Sequence, residues 1–303
     1  MKSSAELVRT AWKLGVVVPS FNIPYLPMME PVVRAARDQD AVAFIAVARL
    51  EWIKFESRSL AAVMEEYQRC KDTRHVRLHL DHVPVMDEDH QQVDVPAIIK
   101  EAIALGYQSV MVDGSRLALA DNIRATRAVV ELAHAAGIAC EAELGAVLGH
   151  EEGPLPPYED LFKSGKGFTR VEEARRFVRE SGCDWLSVAI GNIHGAVSQA
   201  ARSNKKVEAH LNLDHLDLLR EATGIPLVLH GGSGVCRADV RAGMKRGLAK
   251  VNVGTEIRQA YEVALKASGD VAAAQQAVYA KTAWLIDEYF GIKGLRAAIA
   301  GQD

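Results

Sequence analysis

The stretch VRLHLDHV, residues 76–83, has the composition of a buried strand until its second half, where polar residues interrupt the apolar run. Strands of a parallel sheet covered on both faces are nearly continuous apolar runs. A carboxylate or an imidazole buried there is costly unless another group pairs with it. The stretch therefore predicts a strand whose end, at His79, Asp81 and His82, either is satisfied by structural partners or holds a metal and a proton-transfer group.

Seven further runs of this kind alternate with helix-like stretches. The predicted strands are 16–23, 41–48, 76–83, 109–114, 139–145, 185–191, 226–232 and 250–255. The predicted helices are 28–38, 58–70, 94–104, 118–136, 169–181, 211–222 and 236–246, with an amphipathic helix at the N-terminus and a C-terminal pair beginning near 256. One helix start is predicted in detail: TRVE (169–172) has the pattern of a capping box, with Thr169 as N-cap and Glu172 reaching back.

Alternating strands and helices indicate an α/β fold with a parallel sheet, and eight strands are the number that closes a (β/α)8 TIM barrel. We expect residues 1–303 to form a single TIM-barrel domain, with a C-terminal helical extension over about 256–303. An open doubly wound sheet is the alternative, but the first strand-to-helix turn, SFNIPYLP (20–27), lacks the glycines of a dinucleotide-binding fold. Residues 146–168 are too long for a routine connection and predict an active-site lid.

Composition narrows the functional class. The chain has 303 residues, 49% hydrophobic and 25% charged, with a net charge of -3. These values give no electrostatic case for binding nucleic acid or an anionic membrane. We find no secretory signal, no apolar run of the ~18 residues that a membrane span needs, and four scattered cysteines without a CxxC pair. We therefore expect a cytoplasmic protein with reduced thiols.

Polar residues end or follow the six predicted strands from the third to the eighth. They are Asp81 and His82, Asp113, Glu141 and Glu143, His194, His230, and Asn252 and Thr255. A single histidine at a strand end is usually structural. Because TIM-barrel active sites lie at the C-terminal ends of the strands, six polar strand ends at one rim predict a functional site.

Three of these residues, His82, His194 and His230, come from three different strands and suit a zinc ion with one open position. The alternative is that the rings only line a pocket. Asp113, Glu141 and Glu143 weaken it, because their carboxylates would repel one another without a cation or imidazole N–H groups. Residue types alone do not identify the metal, since imidazole also binds iron, copper and nickel.

Two glycine-containing turns predict phosphate binding. HGGSG (230–234) follows a strand and precedes a helix, so its backbone N–H groups can approach an anion closely. NVGT (252–255) ends the neighbouring strand, and the loops after strands seven and eight are where TIM barrels commonly hold phosphate.

With these residues laid out, the chain resembles the class II, zinc-dependent ketose-bisphosphate aldolases, the group that contains fructose- and tagatose-bisphosphate aldolases. The resemblance extends from the early VPSFNI to about residue 260. It is carried by HLDH (79–82), VMVDGS (110–115), EAELG (141–145), AIGNIHG (189–195), LVLHGGSG (227–234) and KVNVGTE (250–256), in family order.

The resemblance implies a lyase that cleaves or forms a phosphorylated ketose, releasing dihydroxyacetone phosphate and an aldehyde through a metal-stabilised enediolate. His82, His194 and His230 would hold the catalytic Zn²⁺, with Asp113 and Glu143 forming an alternative or second metal site. Asp81 would handle the hydroxyl proton, Glu151 would be the lid base, and Asn252 would steady the enediolate. The implied substrate- and phosphate-binding positions are Asn22, Gly195, Gly231, Gly232, Ser233, Asn252, Gly254 and Thr255.

The resemblance also implies a monovalent cation, Na⁺ or K⁺, near Gly195 and Gly231, and a homodimer or homotetramer. Its departures concern the aldehyde half of the substrate. Ser198 stands near a phosphate-binding lysine position, Gly254 replaces a residue tied to substrate discrimination, and VARLEWIKFES (47–57) lacks the family's serine- and glycine-rich turn.

Three alternatives stay open. The first is an aldolase of the same family that acts on a non-bisphosphate or a deoxy sugar acid phosphate. The second is a metal-dependent hydrolase or isomerase barrel, disfavoured because no HxH pair opens strand one and because His210 and His215 are expected at the surface. The third is a non-catalytic sugar-phosphate-binding barrel, disfavoured because the metal ligands, Asp81 and Glu151 are all present.

Overall fold

Eight parallel strands form a closed barrel in the order in which they follow one another along the chain. The computed structural model describes residues 1–145, 158–192 and 208–302. The strands are β1 Val18–Asn22, β2 Ala43–Ala48, β3 Val76–Pro84, β4 Ser109–Asp113, β5 Ala139–Leu144, β6 Trp185–Val188, β7 Leu227–Leu229 and β8 Leu248–Val253. β1 pairs in parallel with β8, from Val18 opposite Lys250 to Phe21 opposite Val253, and this pairing closes the barrel. The predicted TIM barrel is confirmed.

Helices follow the strands and cover the outside of the barrel. Those of the first half are α1 Ser4–Leu14, a 3-10 turn Leu26–Met28, α2 Met29–Asp38, α3 Arg49–Lys54, α4 Leu60–Cys70, α5 Val95–Leu105 and α6 Leu119–Ala135. Those of the second half are α7 Tyr158–Ser164, α8 Val171–Ser181, α9 Leu213–Thr223, α10 Arg237–Met244, α11 Thr255–Ser268, α12 Val271–Trp284, a π-helix Leu285–Phe290 and α13 Arg296–Ala300.

Two layers of apolar side chains hold this arrangement together. The larger cluster lies between strands and helices and includes Leu78 and Leu80 of β3, both fully buried. The smaller cluster joins Leu7 of α1 to Phe44 and Trp185 from the strands. α1 begins at a capping box between Ser3 and Glu6, and packs three apolar residues against the barrel. The N-terminal end of the barrel is therefore filled by apolar groups, which leaves the carboxyl ends of the strands for polar chemistry.

The structure adds elements that the sequence patterns did not predict. α3 has six residues and is too short to show helical periodicity. α7 lies inside the predicted loop 146–168, of which the structure describes 158–168. The C-terminal pair is present as α11 and α12, followed by the π-helix and α13.

The predicted capping box at Thr169 is wrong. α8 begins at Val171, with Arg170 as N-cap and no side-chain cap. The Thr169 hydroxyl instead donates to the Leu144 carbonyl at 2.5 Å and accepts from the Ala189 N–H at 2.9 Å. Thr169 is 1% exposed, so its hydroxyl joins the ends of β5 and β6 rather than serving its own helix.

No helix in the described part of the chain is both long enough and apolar enough to cross a membrane.

Replacing Thr169 by valine should destabilise the protein by about 1–3 kcal/mol, because the isosteric change leaves a buried carbonyl and a buried N–H without partners. The midpoint of urea unfolding measures the loss. Thr223→Val is the matched control, because within the described part of the chain its hydroxyl makes a single hydrogen bond, to the Leu219 carbonyl of the same helix. Equal shifts in the two variants would contradict the bridging role of Thr169.

Candidate active site

The carboxyl ends of the strands bring most of the predicted site residues into one buried group. Its members are Asn22, Asp81, His82, Asp113, Glu141, Glu143, His230 and Asn252. All come from strands except His230, which directly follows β7. His194, Gly195 and Glu151 lie outside the described residues.

Asp81 is held by two amide groups from opposite sides. Asn22 Nδ2 donates to Asp81 Oδ2 at 2.8 Å, and Asn252 Nδ2 donates to Asp81 Oδ1 at 3.0 Å. Burial alone would raise the pKa of this carboxyl, but nearby positive charges, that of His82 foremost, hold the pKa well below its ordinary value. Asp81 is therefore an oriented carboxylate in a site where it is only 1% exposed.

Two imidazole rings meet in a T-shaped arrangement beside this carboxylate. His82 Nε2 lies 2.5 Å from His230 Nδ1, with the ring planes 88° apart. The other nitrogen of each ring faces a carboxylate: His82 Nδ1 lies 3.3 Å from Asp113 Oδ2, and His230 Nε2 lies 2.7 Å from Glu141 Oε1. Outer carboxylates of this kind orient imidazoles that bind a metal.

The charges of the two rings are coupled. Although burial lowers it, the pKa of His82 rises to about 10 because of Asp81, Asp113 and Glu143. Burial and the charge of His82 lower the pKa of His230. The carboxylates around the two rings therefore favour one positive charge on the pair, carried by His82.

This donor set fits a divalent cation. One ligand atom each from Asp81, His82 and His230 lies within 4.8 Å of the others. Imidazole nitrogen is a preferred ligand of zinc, and the carboxylate cage favours positive charge at the same point. His82 and His230 are the residues that would hold the ion, and Glu141 and Asp113 would fix the orientation of their rings.

A second group of possible ligands shares His82. It consists of His82, Asp113 and Glu143, whose ligand atoms also lie within 4.8 Å of one another. The pKa of Glu143 is raised to about 8 by burial and by the charge of Asp113. Asp113 is anchored by the N–H and the hydroxyl of Ser115, at 3.0 and 2.6 Å.

Beneath the rim lies a buried ion pair whose lysine the sequence analysis left without a role. Lys250 is 0% exposed; its Nζ lies 2.8 Å from Glu141 Oε2 and donates to Asn252 Oδ1 at 2.6 Å. The charge of Lys250 keeps the pKa of Glu141 below its ordinary value despite burial. Lys250 thus connects Asn252, which holds Asp81, to Glu141, which holds His230. It was not recognised because a lysine in a strand pattern usually indicates an exposed position.

His79 lies inside the barrel and is fully buried. Its Nδ1 lies 2.9 Å from Ser109 Oγ, and its Nε2 is 3.6 Å from Glu141 Oε2. Burial and the charge of Lys250 lower the pKa of His79 to about 4, so the ring is neutral.

Glu51 is a further residue that the sequence reasoning missed. It lies in α3, is 8% exposed, and its Oε2 accepts the Ala48 N–H at 2.8 Å. The Asn22 amide, which holds Asp81, acts on the same carboxyl and partly offsets the rise in its pKa. Burial raises the pKa of Glu51 to about 8, and the charge of Asp81 adds to this shift. The sequence evidence for a role of Glu51 was weak, because this glutamate lies in a stretch that shows no strand pattern.

The turn 230–234 lies next to the start of α11. Gly231 has a φ of +66°, and a Cβ on Gly232 would lie 2.5 Å from Val251 Cγ1 and 2.8 Å from the Asn252 carbonyl oxygen. Ser233 Oγ accepts the N–H of Glu256, in the first turn of α11, at 3.3 Å. Gly254 is the N-cap of α11, and Thr255 is its first residue. The predicted phosphate residues thus adjoin the N-terminus of a 14-residue helix, the end that attracts anions.

Replacing Lys250 by methionine should destabilise the protein by about 3–5 kcal/mol, because it leaves Glu141 charged and buried without its partner. The measurement is the shift of the denaturant midpoint. Lys293→Met is the matched control, since that lysine also pairs at 2.8 Å, with Asp287, but on the surface. Its midpoint should stay close to that of the parent. A small effect in both variants would refute the role assigned to Lys250.

The raised pKa of Glu51 predicts a pH-dependent term in stability. The stabilisation that the neutral carboxyl provides is fully present below about pH 4.5, the unfolded value, and is lost as the pH rises through about 8. Metal-free parent protein should therefore lose stability, relative to Glu51→Gln, between pH 5 and pH 8. Chemical denaturation of both proteins at a series of pH values measures the difference. A constant difference would show that Glu51 is already charged at pH 5.

Known proteins resemble this chain along nearly its whole length. The family described as fructose-bisphosphate aldolase class-II matches residues 2–293. A fructose-bisphosphate aldolase from Streptococcus pneumoniae serotype 4 is 34% identical over 306 aligned positions, which cover 98% of this chain and 94% of that protein. The crystal structure of the YdjI aldolase from Escherichia coli K12 is similar with a TM-score of 0.75 and 28% identity, covering 96% of this chain and 97% of that one.

A more distant structure shares the fold. The fructose-bisphosphate aldolase from Campylobacter jejuni has a TM-score of 0.72 at 16% identity, covering 94% of this chain and 93% of that one. The family match spans all eight strands and every described site residue. The chain therefore belongs to the class-II fructose-bisphosphate aldolase family.

Proposed function

We propose that this protein is a divalent-metal-dependent aldolase that cleaves or forms a phosphorylated ketose, with dihydroxyacetone phosphate and an aldehyde as the other reactants. The observation that carries the proposal is the position of Asp81, a carboxylate fixed by Asn22 and Asn252. It lies beside His82 and His230, whose nearest ring nitrogens are 2.5 Å apart. Membership of the class-II aldolase family supports the reaction class.

Asp81 is the group we assign to the hydroxyl proton. A base for this step must be unprotonated before the reaction and within reach of the hydroxyl. Asp81 is kept ionised by its positive neighbours, and its two amide donors fix the direction of its oxygens. As the carboxylate accepts the proton, the negative charge moves to the substrate, close to the imidazoles.

His82 and His230 would hold the cation, with His194, outside the described residues, as the third ligand expected from the resemblance. The ion we expect is Zn²⁺, and the chemistry that it supplies is Lewis-acid polarisation of the ketose carbonyl. Glu141 and Asp113 position the two rings. Asp113 and Glu143 are assigned to a second or alternative metal position, and Glu151 to proton transfer at carbon.

The phosphate of the triose half is assigned to the turn 230–234 and the N-terminus of α11. Gly232 has no room for a side chain, which keeps the backbone at this point next to β8. Ser233, Gly254 and Thr255 line the same region. The monovalent cation near Gly231 remains part of this proposal.

Fructose- or tagatose-bisphosphate differs from other ketose phosphates in the part of the substrate that is released as the aldehyde. A Cβ on Gly254 would lie 3.2 Å from Asn22 Cβ, so a side chain at this position would crowd the residue that holds Asp81. Arg49, which could have bound an anionic group, is paired with Asp87 at 3.6 Å. The pairing of Arg49 favours a substrate that lacks the second phosphate or bears a different group at that end.

The test is a screen of purified, zinc-loaded protein against ketose mono- and bisphosphates and a deoxy sugar acid phosphate, with release of dihydroxyacetone phosphate as the readout. At least one substrate should be cleaved, and EDTA should abolish the cleavage until Zn²⁺ is restored. Cleavage that is insensitive to EDTA, or no cleavage of any member, would count against the proposal.

Asp81→Ala should lower kcat by about 10²- to 10⁴-fold while substrate still binds, because the variant loses the base but keeps the imidazoles and the phosphate turn. Steady-state kinetics and calorimetric titration with dihydroxyacetone phosphate separate the two effects. Asp121→Ala, on the exposed side of α6, is the control and should match the parent. Equal turnover in the two variants would exclude Asp81 as the base.

A further inference from the structure

A second group of metal-ligating side chains lies outside the residues assigned to the aldolase site. It consists of His210, Cys236 and Asp239, called here the His–Cys–Asp cluster. One ligand atom from each residue lies within 4.8 Å of the others. His210 Nδ1 is 2.9 Å from Asp239 Oδ2. His210 was expected to be a surface residue with no role, and its side chain is indeed 52% exposed.

The backbone, rather than flexible side-chain tips, brings these residues together. Ala209 and Val235 form a parallel bridge, in which the Ala209 N–H donates to the Gly234 carbonyl at 3.0 Å and the Cys236 N–H donates to the Ala209 carbonyl at 2.8 Å. This register places His210 beside Cys236.

The third residue is fixed by the start of α10. Cys236 is the N-cap of this helix, and Asp239 lies in its first turn, three residues later. Residues three apart on a helix share a face. The Asp239 carboxylate also accepts the Leu211 N–H at 3.1 Å, so it is held in place from the His210 side as well.

The chemistry of the three groups indicates a class of ion. Imidazole nitrogen, thiolate sulfur and carboxylate oxygen are the three ligand types of zinc. Mg²⁺ and Ca²⁺ favour oxygen ligands and would not select this set. The side chain of Asp239 is 22% exposed and that of His210 more so, which leaves an opening for a water molecule as a further ligand.

A plain structural explanation accounts for only part of the cluster. A His–Asp hydrogen bond on the surface needs no thiol beside it. Within the described residues, the sulfur of Cys236 makes no hydrogen bond that would explain its position.

We propose that His210, Cys236 and Asp239 form a second divalent-metal site of the zinc class, which ties the segment 208–211 to α10. On binding, the S–H bond of Cys236 breaks, its proton passes to solvent, and a bond forms between sulfur and metal, with no change of oxidation state. Since α10 follows the turn 230–234, an ion bound here would also stabilise the backbone next to the phosphate turn.

Titration of the reduced, metal-free, full-length protein with Co²⁺ tests the proposal, because a thiolate bound to Co²⁺ gives a charge-transfer absorption in the near ultraviolet. No cysteine is among the residues assigned to the aldolase site, so Co²⁺ bound at that site does not give this absorption. We expect the absorption in the parent protein, its loss in Cys236→Ser, and its retention in Cys70→Ser. Cys70 is the matched control, a partly exposed cysteine on α4.

Absence of the absorption in the parent, or its persistence in Cys236→Ser, would overturn the proposal. Should Cys236→Ser not fold, as judged by circular dichroism, His210→Gln supplies the second test on an exposed side chain. Its absorption should need a higher Co²⁺ concentration to reach half-saturation than that of the parent. An unchanged midpoint would overturn the assignment of His210.

Discussion

The ion pair between Lys250 and Glu141 is the interaction on which the rest of the site depends. Both side chains are fully buried, and their charged atoms are 2.8 Å apart. Burying two charges costs several kcal/mol per ion, roughly, unless further hydrogen bonds satisfy them. Here Glu141 also accepts from Trp185 Nε1 and contacts His230, and Lys250 also donates to Asn252. The pair therefore fixes the orientation of two site residues at once.

The buried charges in the interior of this barrel are compensated by groups of opposite charge. Asp81, Glu141, Asp113 and Glu143 are all buried or nearly so, and their mutual repulsion is offset by His82, His230 and Lys250. The charge of Glu143 is the least compensated of the four, because burial and the neighbouring Asp113 raise its pKa to about 8. A divalent cation held by His82 and His230 would supply the positive charge that these carboxylates favour. The reaction of this family needs positive charge at the same point, because cleavage of a carbon–carbon bond places negative charge on the substrate.

Much of this could be predicted from the sequence, for a physical reason. Barrel strands buried on both faces are apolar runs, so polar residues such as Asp81, His82 and His230 stand out at the strand ends, and the order of the strands places them at one rim. The predictions failed where a side chain serves a distant part of the chain. Thr169 has the local pattern of an N-cap, but its hydroxyl bridges β5 and β6. Lys250 and Glu51 were missed because burial of a charged residue depends on partners that come from other strands and loops.

The central claim is that His82 and His230 bind one metal ion together, with Glu141, the partner of Lys250, holding the His230 ring. X-ray absorption at the zinc edge, on protein loaded with one equivalent of Zn²⁺, measures this most directly when the parent is compared with His82→Ala and His230→Ala. The account predicts a first shell containing imidazole nitrogens at about 2.0–2.1 Å, with fewer of them in each variant. A first shell of oxygen or sulfur alone, or one that neither substitution alters, would contradict it.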